Sequence, residues 1–290
     1  MESSIVSGKT KICGVIGDPI EHTMSPVMHN AAFKKLGLDY IYIPFRVRAE
    51  ELAQAVDGIR ALNIRGLNVT IPHKVAIIPM LDGLDPVAEK IGAVNTIVNN
   101  DGNLRGYNTD ASGFLRALLE GGGEPEGKNI VILGAGGASR AISYILAEKG
   151  AHLTILNRQL ELDWAEVIAE LILEDFEMEV RVLELGFENL AAALAGADIL
   201  INATSVGMSP NSEESPVPAD LLKPELVVFD IVYNPIKTKL LKDAEAAGAR
   251  IVVGVDMLTW QGALAFEKWT EQPAPFDLMR KKAVKALGGA

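Results

Sequence analysis

The sequence predicts an α/β protein of two domains, and three observations predict it. Strand-like and helix-like stretches alternate almost from the start, the pattern of a parallel sheet with helical crossovers. The chain has 290 residues, more than one hydrophobic core usually organises. A Gly/Glu-rich connection, "EGGGEPEGK", precedes a fresh strand at Asn129 that runs straight into the glycine-rich turn "GAGGAS".

The elements follow in order. "KICGVIGDP" reads as a strand ending in a turn, and "SPVMHNAAFKKLGL" as a helix with Ser25 as its cap, Pro26 at its first position and Gly37 as its stop. "YIYIPFRV" is a strand, "AEELAQAVDGIRALNI" a helix, and "GLNVTIP" a strand that opens on Gly66 and meets Pro72. In "GAVNTIVNNDGNLRGYNTD" two alternating runs flank Asn100-Asp101-Gly102, a strong hairpin signal. Beyond Asn129 come "NIVILGAGGASRAISYILAEKG", "HLTILNR", a helix through 160–174, a strand near 180–183, "ADILINAT" and "LVVFDIVY". A last strand, "RIVVGVDM", leads into helices over 257–270 and 276–287. With no strand after them, these helices are expected to fold back on the first domain.

Composition limits the partners. There are 27 Lys+Arg against 38 Asp+Glu, a net charge of −11. Such a field repels nucleic acid and anionic membrane, so neither is expected, and an anionic ligand must be held by a few local cations. Cys13 is the only cysteine; a disulfide within the chain is excluded and a reducing cytoplasm is the natural setting. Its apolar surroundings suit a buried small thiol. "MESSIVSGKTK" lacks the basic-then-apolar pattern of a signal peptide, and no apolar run approaches the ~20 residues that span a bilayer. His22, His29 and His152 have no partners at metal-ligand spacing, so no metal is expected. Met24 and Met28, and the three tryptophans, read as packing residues.

Gly134 and Gly136 follow a strand and open a helix, where a glycine turn lets pyrophosphate reach backbone N–H groups. Ser139 stands where the common fingerprint has its third Gly or Ala. A dinucleotide fold usually places Asp or Glu at the end of the next strand, to bind a ribose 2′-hydroxyl. This chain has Asn157 and Arg158 there. A guanidinium pairs with a 2′-phosphate that an acid would repel, so NADP is expected over NAD. A purely structural turn and a solvated arginine are the bland alternatives.

Three segments of the first 110 residues carry more polar groups than packing requires: Thr23 and Ser25; Asn68, Thr70 and Lys74; and Asn95 with Asn108, Thr109 and Asp110. A polyhydroxylated substrate needs such matched hydroxyls and amides. Thr23 and Ser25 also read as helix caps, and Asn68 and Asn95 as turn residues. Lys74 and Asp110 each follow a strand, the end at which parallel sheets bind ligands. A lysine there can pass a proton to or from a substrate hydroxyl, and an aspartate can orient its ammonium. The rival reading is a surface salt bridge.

The blocks "GDPIEHTMSPVMHNAAF", "GLNVTIPHK", "IGAVNTI", "GYNTD", "GAGGASRA", "NATSVGM", "DIVYNP" and "MLTWQGALAFEKW", in this order, make the chain resemble the shikimate dehydrogenase family almost end to end. The resemblance implies NADP-linked, reversible reduction of 3-dehydroshikimate to shikimate. It implies a substrate domain over 1–110, completed by about 256–290, and a Rossmann-type dinucleotide-binding domain over 111–255. Substrate contacts then fall on Thr23, Ser25, Thr70, Asn95, Asp110, Tyr233 and Gln261, with Lys74 as the catalytic lysine and Asp110 as its partner. Cofactor contacts fall on Gly134, Ala135, Gly136, Gly137, Ala138 and Ser139, on Asn157 and Arg158, and on Thr204, Ile231 and Gly254. His73 sits where the family varies, and no chemistry is expected of it. A homodimer is left open.

Three positions depart from the family pattern: Thr23 where a serine is usual, Leu162 where a second basic residue follows Arg158, and Asp256 in the "GVDML" block. With Leu162, Arg158 is left to hold a 2′-phosphate alone. "TIVNNDGNLRGYNTD", "NRQLELDW" and "LTWQGALAFEKW" are also similar to the quinate/shikimate branch, which takes quinate and NAD. A third reading, from a different class, is a catalytically silent NADP-binding sensor, which predicts loss of the proton-transfer pair. Lys74 and Asp110 are both present.

Overall fold

The computed structural model describes residues 6–289, so the first five residues of the stretch read for a signal peptide lie outside the described residues. The chain forms two compact units, one of Met1–Thr109 with Thr259–Ala290, the other of Asp110–Leu258.

The first unit is built on a six-stranded sheet: β1 (Lys11–Gly17), β2 (Tyr40–Arg46), β3 (Gly66–Val69), β4 (Gly83–Leu84), β5 (Thr96–Asn100) and β6 (Asn103–Tyr107), in spatial order β2-β1-β3-β5-β6-β4. β1 pairs in parallel with β2 and β3, but β5 runs antiparallel to β3 and β6, so the sheet is mixed rather than all-parallel. The reason is the hairpin: Asn100 pairs with Asn103, and Asp101 and Gly102 turn the chain with φ of 51° and 90°. Two positive φ values are what a type I′ turn demands, and Asp-Gly supplies them at low cost.

One face of this sheet packs on Leu52, Val56 and Ile59 of the helix Leu52–Ala61, with Ile16, Leu67, Val69 and Ile97 from the strands. From Thr259 onward the C-terminal helices, Gly254–Thr270 and Phe276–Ala286, belong to the same unit, where Phe266, Trp269 and Met279 are buried. Trp269 is 1% exposed and its indole N–H donates to Ile97 O at 2.9 Å. Gly66 makes room for that indole: a Cβ there would lie 2.1 Å from Trp269 Nε1.

Two sequence expectations are corrected in this unit. The "GLNVTIP" strand stops at Val69, because the chain turns at Thr70, whose carbonyl accepts from His73 N at 2.9 Å. Pro72, lacking an N–H, could not have continued the ladder. Ser25 is not the helix cap: the helix Ser25–Leu36 already includes it, Met24 precedes it, and no side chain caps that end. Pro26 accordingly moves from the expected first helical position to the second, and Gly37 ends the helix as expected, with φ 66°.

The second unit holds β7 (Asn129–Leu133), β8 (His152–Asn157), β9 (Arg181–Glu184), β10 (Ile199–Asn202), β11 (Val227–Asp230) and β12 (Arg250–Val253). They are parallel throughout, in order β12-β11-β10-β7-β8-β9. This is the Rossmann order, in which the winding reverses between β7 and β10. Its buried strands read as continuous apolar runs, as a sheet covered on both faces requires. The last strand ends at Val253 and the helix begins at Gly254, earlier than the expected 257.

Candidate active site

In the first unit, hydrogen bonds gather several predicted residues at one end of the sheet. Thr70 N donates to Ile16 O at 3.0 Å, Val69 N to Asn95 O at 2.8 Å, and Asn95 N to Tyr107 O at 3.0 Å. The carboxyl ends of β1, β3 and β6 therefore meet the start of β5. Lys74 lies in the short helix His73–Ala76, tied to the same end because Lys74 O accepts from Val94 N at 2.8 Å. His73 holds that turn from beneath: it is 1% exposed, and its Nε2–H donates to Val47 O at 2.7 Å. That explains a histidine in "TIPHK" without catalytic duty.

Thr23 and Ser25 stand where β1 leads into the helix Ser25–Leu36; Ser25 N donates to Thr23 Oγ1 at 3.3 Å. Burial pushes the Tyr42 phenol well above its usual range, and the Ser25 hydroxyl pulls it the other way. Tyr42 O–H in turn donates to Asn68 Oδ1 at 2.7 Å, and Asn68 Nδ2 donates to Thr96 Oγ1 at 3.1 Å. Asn68 thus links Tyr42 to Thr96 across the sheet end. Asn95 Oδ1 accepts from Thr109 N at 2.7 Å, which fixes the residue just before Asp110. Asp110 itself is buried in the first turn of the helix Thr109–Glu120. Gln261 lies on the helix Gly254–Thr270, next to Gly262, whose Cα faces Met28 and His29. Thr23, Ser25, Thr70, Lys74, Asn95 and Gln261 belong to the first unit; Asp110, Tyr233 and all the predicted cofactor residues belong to the second. Burial pushes the Tyr233 phenol up, so it stays a hydroxyl donor at neutral pH.

In the second unit, β7 ends at Leu133 and Gly134 turns with φ 94°. A Cβ there would meet Thr204 Cγ2 at 2.9 Å and Ala203 O at 3.2 Å, so the turn accepts only glycine without a shift. Ala135 is buried, and Gly136 and Gly137 lead into the helix Gly137–Glu148. A Cβ on Gly136 would meet nothing within 4 Å, which leaves the helix N-terminus open to a phosphate. Ala138 follows half-buried, and Ser139 Oγ donates to Gly134 O at 2.7 Å, so this hydroxyl braces the loop. At the end of β8, Asn157 Nδ2 donates to Glu161 O at 2.6 Å, and Arg158 projects with its side chain 73% exposed. Thr204 Oγ1–H donates to Asn202 Oδ1 at 2.7 Å. Ile231 N donates to Asn202 O at 3.1 Å, and a Cβ on Gly254 would lie 2.5 Å from Ile231 O. Glycine turn, open helix end and strand-end arginine all fit a phosphorylated dinucleotide.

Sequence reasoning missed the struts of this unit. Asn202 and Asp230 end β10 and β11 and are fully buried. Asn202 Nδ2 donates to Asp230 Oδ1 at 3.0 Å, and Thr238 O–H donates to Asp230 Oδ2 at 2.7 Å. Burial raises the Asp230 carboxyl to about 6, against the pull of these bonds. The signal was present in "ILIN" and "VVFD", where a polar residue closes an otherwise apolar strand. Among the described residues, no group of three His, Cys, Asp or Glu side chains could hold a metal ion, and no helix is long and apolar enough to cross a membrane.

Three family models match in succession: a shikimate dehydrogenase substrate binding domain over residues 15–97, a shikimate/quinate 5-dehydrogenase over 119–238, and a shikimate 5′-dehydrogenase C-terminal domain over 254–283. A shikimate dehydrogenase (NADP(+)) from Dehalococcoides mccartyi is 50% identical over 274 residues, 94% of this chain and 95% of the relative. The chain belongs to the shikimate dehydrogenase family.

Solved structures of the family agree with the architecture. A shikimate dehydrogenase in complex with NADP+ is 44% identical, with a TM-score of 0.92 over 98% of each chain. The shikimate 5-dehydrogenase from Listeria monocytogenes, in complex with shikimate and NAD, is 45% identical, with a TM-score of 0.89 over 95% of this chain and 97% of its own. The N-terminal family match runs from the end of β1 through β2, β3 and β4 to the start of β5, the stretch that carries Thr70, Lys74 and Asn95.

Proposed function

We propose that the protein is an NADP-dependent shikimate dehydrogenase, reversibly reducing 3-dehydroshikimate to shikimate in aromatic amino-acid biosynthesis. The observation that carries this reading is the placement of Lys74 beside Thr70 and Asn95 on a polar sheet end that packing alone does not require. When bound, the nicotinamide cofactor gives or takes the hydride. Lys74 passes the accompanying proton to or from the substrate oxygen, and Asp110 orients its ammonium and accepts from a neighbouring hydroxyl. Thr23, Ser25, Thr70, Asn95, Tyr233 and Gln261 hold the remaining hydroxyls and the carboxylate, each matched so that no polar group is buried unpaired.

Cofactor binding falls to Gly134, Ala135, Gly136, Gly137, Ala138 and Ser139 at the pyrophosphate, where the open helix end supports the reading. Asn157 and Arg158 take the adenosine ribose and its 2′-phosphate. Thr204, Ile231 and Gly254 line the nicotinamide end. A cytoplasmic location completes the reading, and sedimentation of the pure protein decides whether it forms a homodimer.

The test is a two-by-two comparison of kcat/KM, shikimate and quinate against NADP and NAD. Shikimate with NADP should give the highest value. If quinate with NAD does, the quinate/shikimate branch replaces this reading. Saturable NADP binding with no turnover of either substrate would make the protein a sensor.

A further inference from the structure

This inference rests on the assignment of Arg158 to a cofactor 2′-phosphate and concerns what that arginine does beforehand. Arg158 Nη2 donates to both oxygens of the Glu161 carboxylate, each at 2.7 Å, and Nε donates to Oε2 at 3.1 Å. The acid is placed by its own backbone. Glu161 N donates to Arg158 O at 2.9 Å, and Glu161 O accepts from Asn157 Nδ2 at 2.6 Å. The short turn Gln159–Glu161 therefore folds the carboxylate onto the guanidinium. Glu161 is less exposed than its partner, 27% against 73%, so the arginine faces solvent while the acid stays beneath it. Over 157–163 Arg158 is the only basic residue, against two acids, Glu161 and Asp163.

We infer that Glu161 is a specificity-determining residue that competes with the 2′-phosphate for Arg158 and so narrows the preference for NADP over NAD. A phosphomonoester carries a charge of about −1.5 to −2 at neutral pH. A phosphate that takes the Nε/Nη2 edge must displace the carboxylate paired there, and one that takes the Nη1 side must lie close to that carboxylate's charge. A ribose 2′-hydroxyl is uncharged and meets neither obstacle. With Leu162 following, the stretch 157–163 supplies no second cation to offset the acid.

The experiment is calorimetric titration of the ligand-free protein with 2′,5′-ADP and with 5′-AMP, which report the 2′-phosphate without turnover. Glu161→Gln keeps the side-chain length and leaves the backbone bonds of the turn in place. It should tighten 2′,5′-ADP about three- to tenfold, the scale of one exposed ion pair released and one like charge removed. Binding of 5′-AMP should stay within about twofold. Unchanged or weaker binding of 2′,5′-ADP by Glu161→Gln would overturn the inference. Arg158→Ala separates the two levels of argument. If it weakens 2′,5′-ADP while Glu161→Gln fails to strengthen it, the arginine assignment stands and only the competition falls. If Arg158→Ala leaves 2′,5′-ADP unaffected, both fall.

Discussion

At Lys74 two readings of one ammonium diverge in what a truncation costs. A lysine that serves only as a surface charge contributes about 1 kcal/mol or less to stability, and its loss leaves the chemistry intact. A positioned general acid–base contributes about 10²–10⁴-fold to the rate. Lys74 is half-buried on a short helix whose place is fixed by His73 below it and by Val94 N on its carbonyl, an investment in position that a surface charge does not need. Lys74→Ala should therefore lower kcat by about 10²–10⁴-fold while changing substrate Kd much less. Steady-state NADPH formation gives the first quantity and direct titration the second. A variant within threefold of wild-type kcat, under conditions where chemistry limits the rate, would return Lys74 to the surface-charge reading.

At the scale of elements, Gly66 shows how a local choice secures a distant helix. The C-terminal helix Gly254–Thr270 can lay Trp269 against β3 only because residue 66 has no side chain. Gly66→Ala would force a Cβ to 2.1 Å from the indole nitrogen and 2.9 Å from Ile97 O. Overpacking of this kind costs about 1–3 kcal/mol, and the rigid neighbours place it at the upper end. Urea unfolding should show a loss of about 3 kcal/mol, with the second unit's cofactor binding retained. Most elements were legible because their signals are local: Asp101-Gly102 for the hairpin, Pro26 and Gly37 for the first helix, and the apolar run into Gly134 for the dinucleotide turn. What sequence did not reveal depends on partners far along the chain. Asn68 read equally as a surplus polar group or a turn residue, because its bond to Tyr42 joins residues 26 apart. Asn202 and Asp230 passed unread because their pairing spans 28 residues. The antiparallel course of β5 followed from the hairpin, yet alternation alone suggested a parallel sheet.

Across the whole molecule, two buried titratable groups give the two units opposite responses to acid. His29, in the first unit, is stacked on Tyr42 at 4.4 Å, and neither ring nitrogen has a hydrogen-bond partner among the described residues. Burial lowers its pKa to about 3 from the usual 6.5. Between those values the unfolded chain binds the proton and the folded one does not, so this stability is complete above pH 6.5 and is lost as pH falls towards 3. Asp230, in the second unit, is raised to about 6 from 3.8, so the folded form holds its proton longer. Its contribution is complete below pH 3.8 and is lost as pH rises through 6. Each slope is about 1.4 kcal/mol per pH unit, and over their shared range they oppose one another. Over that range the two contributions offset one another in the wild-type chain. Urea unfolding of His29→Leu and Asp230→Asn from pH 7 down to pH 4 separates them. As pH falls, His29→Leu should gain on the wild type by about 1.4 kcal/mol per unit below pH 6.5, and Asp230→Asn should lose ground at a similar rate below pH 6. If both variants run parallel to the wild type over this range, neither group titrates with folding and the compensation does not exist.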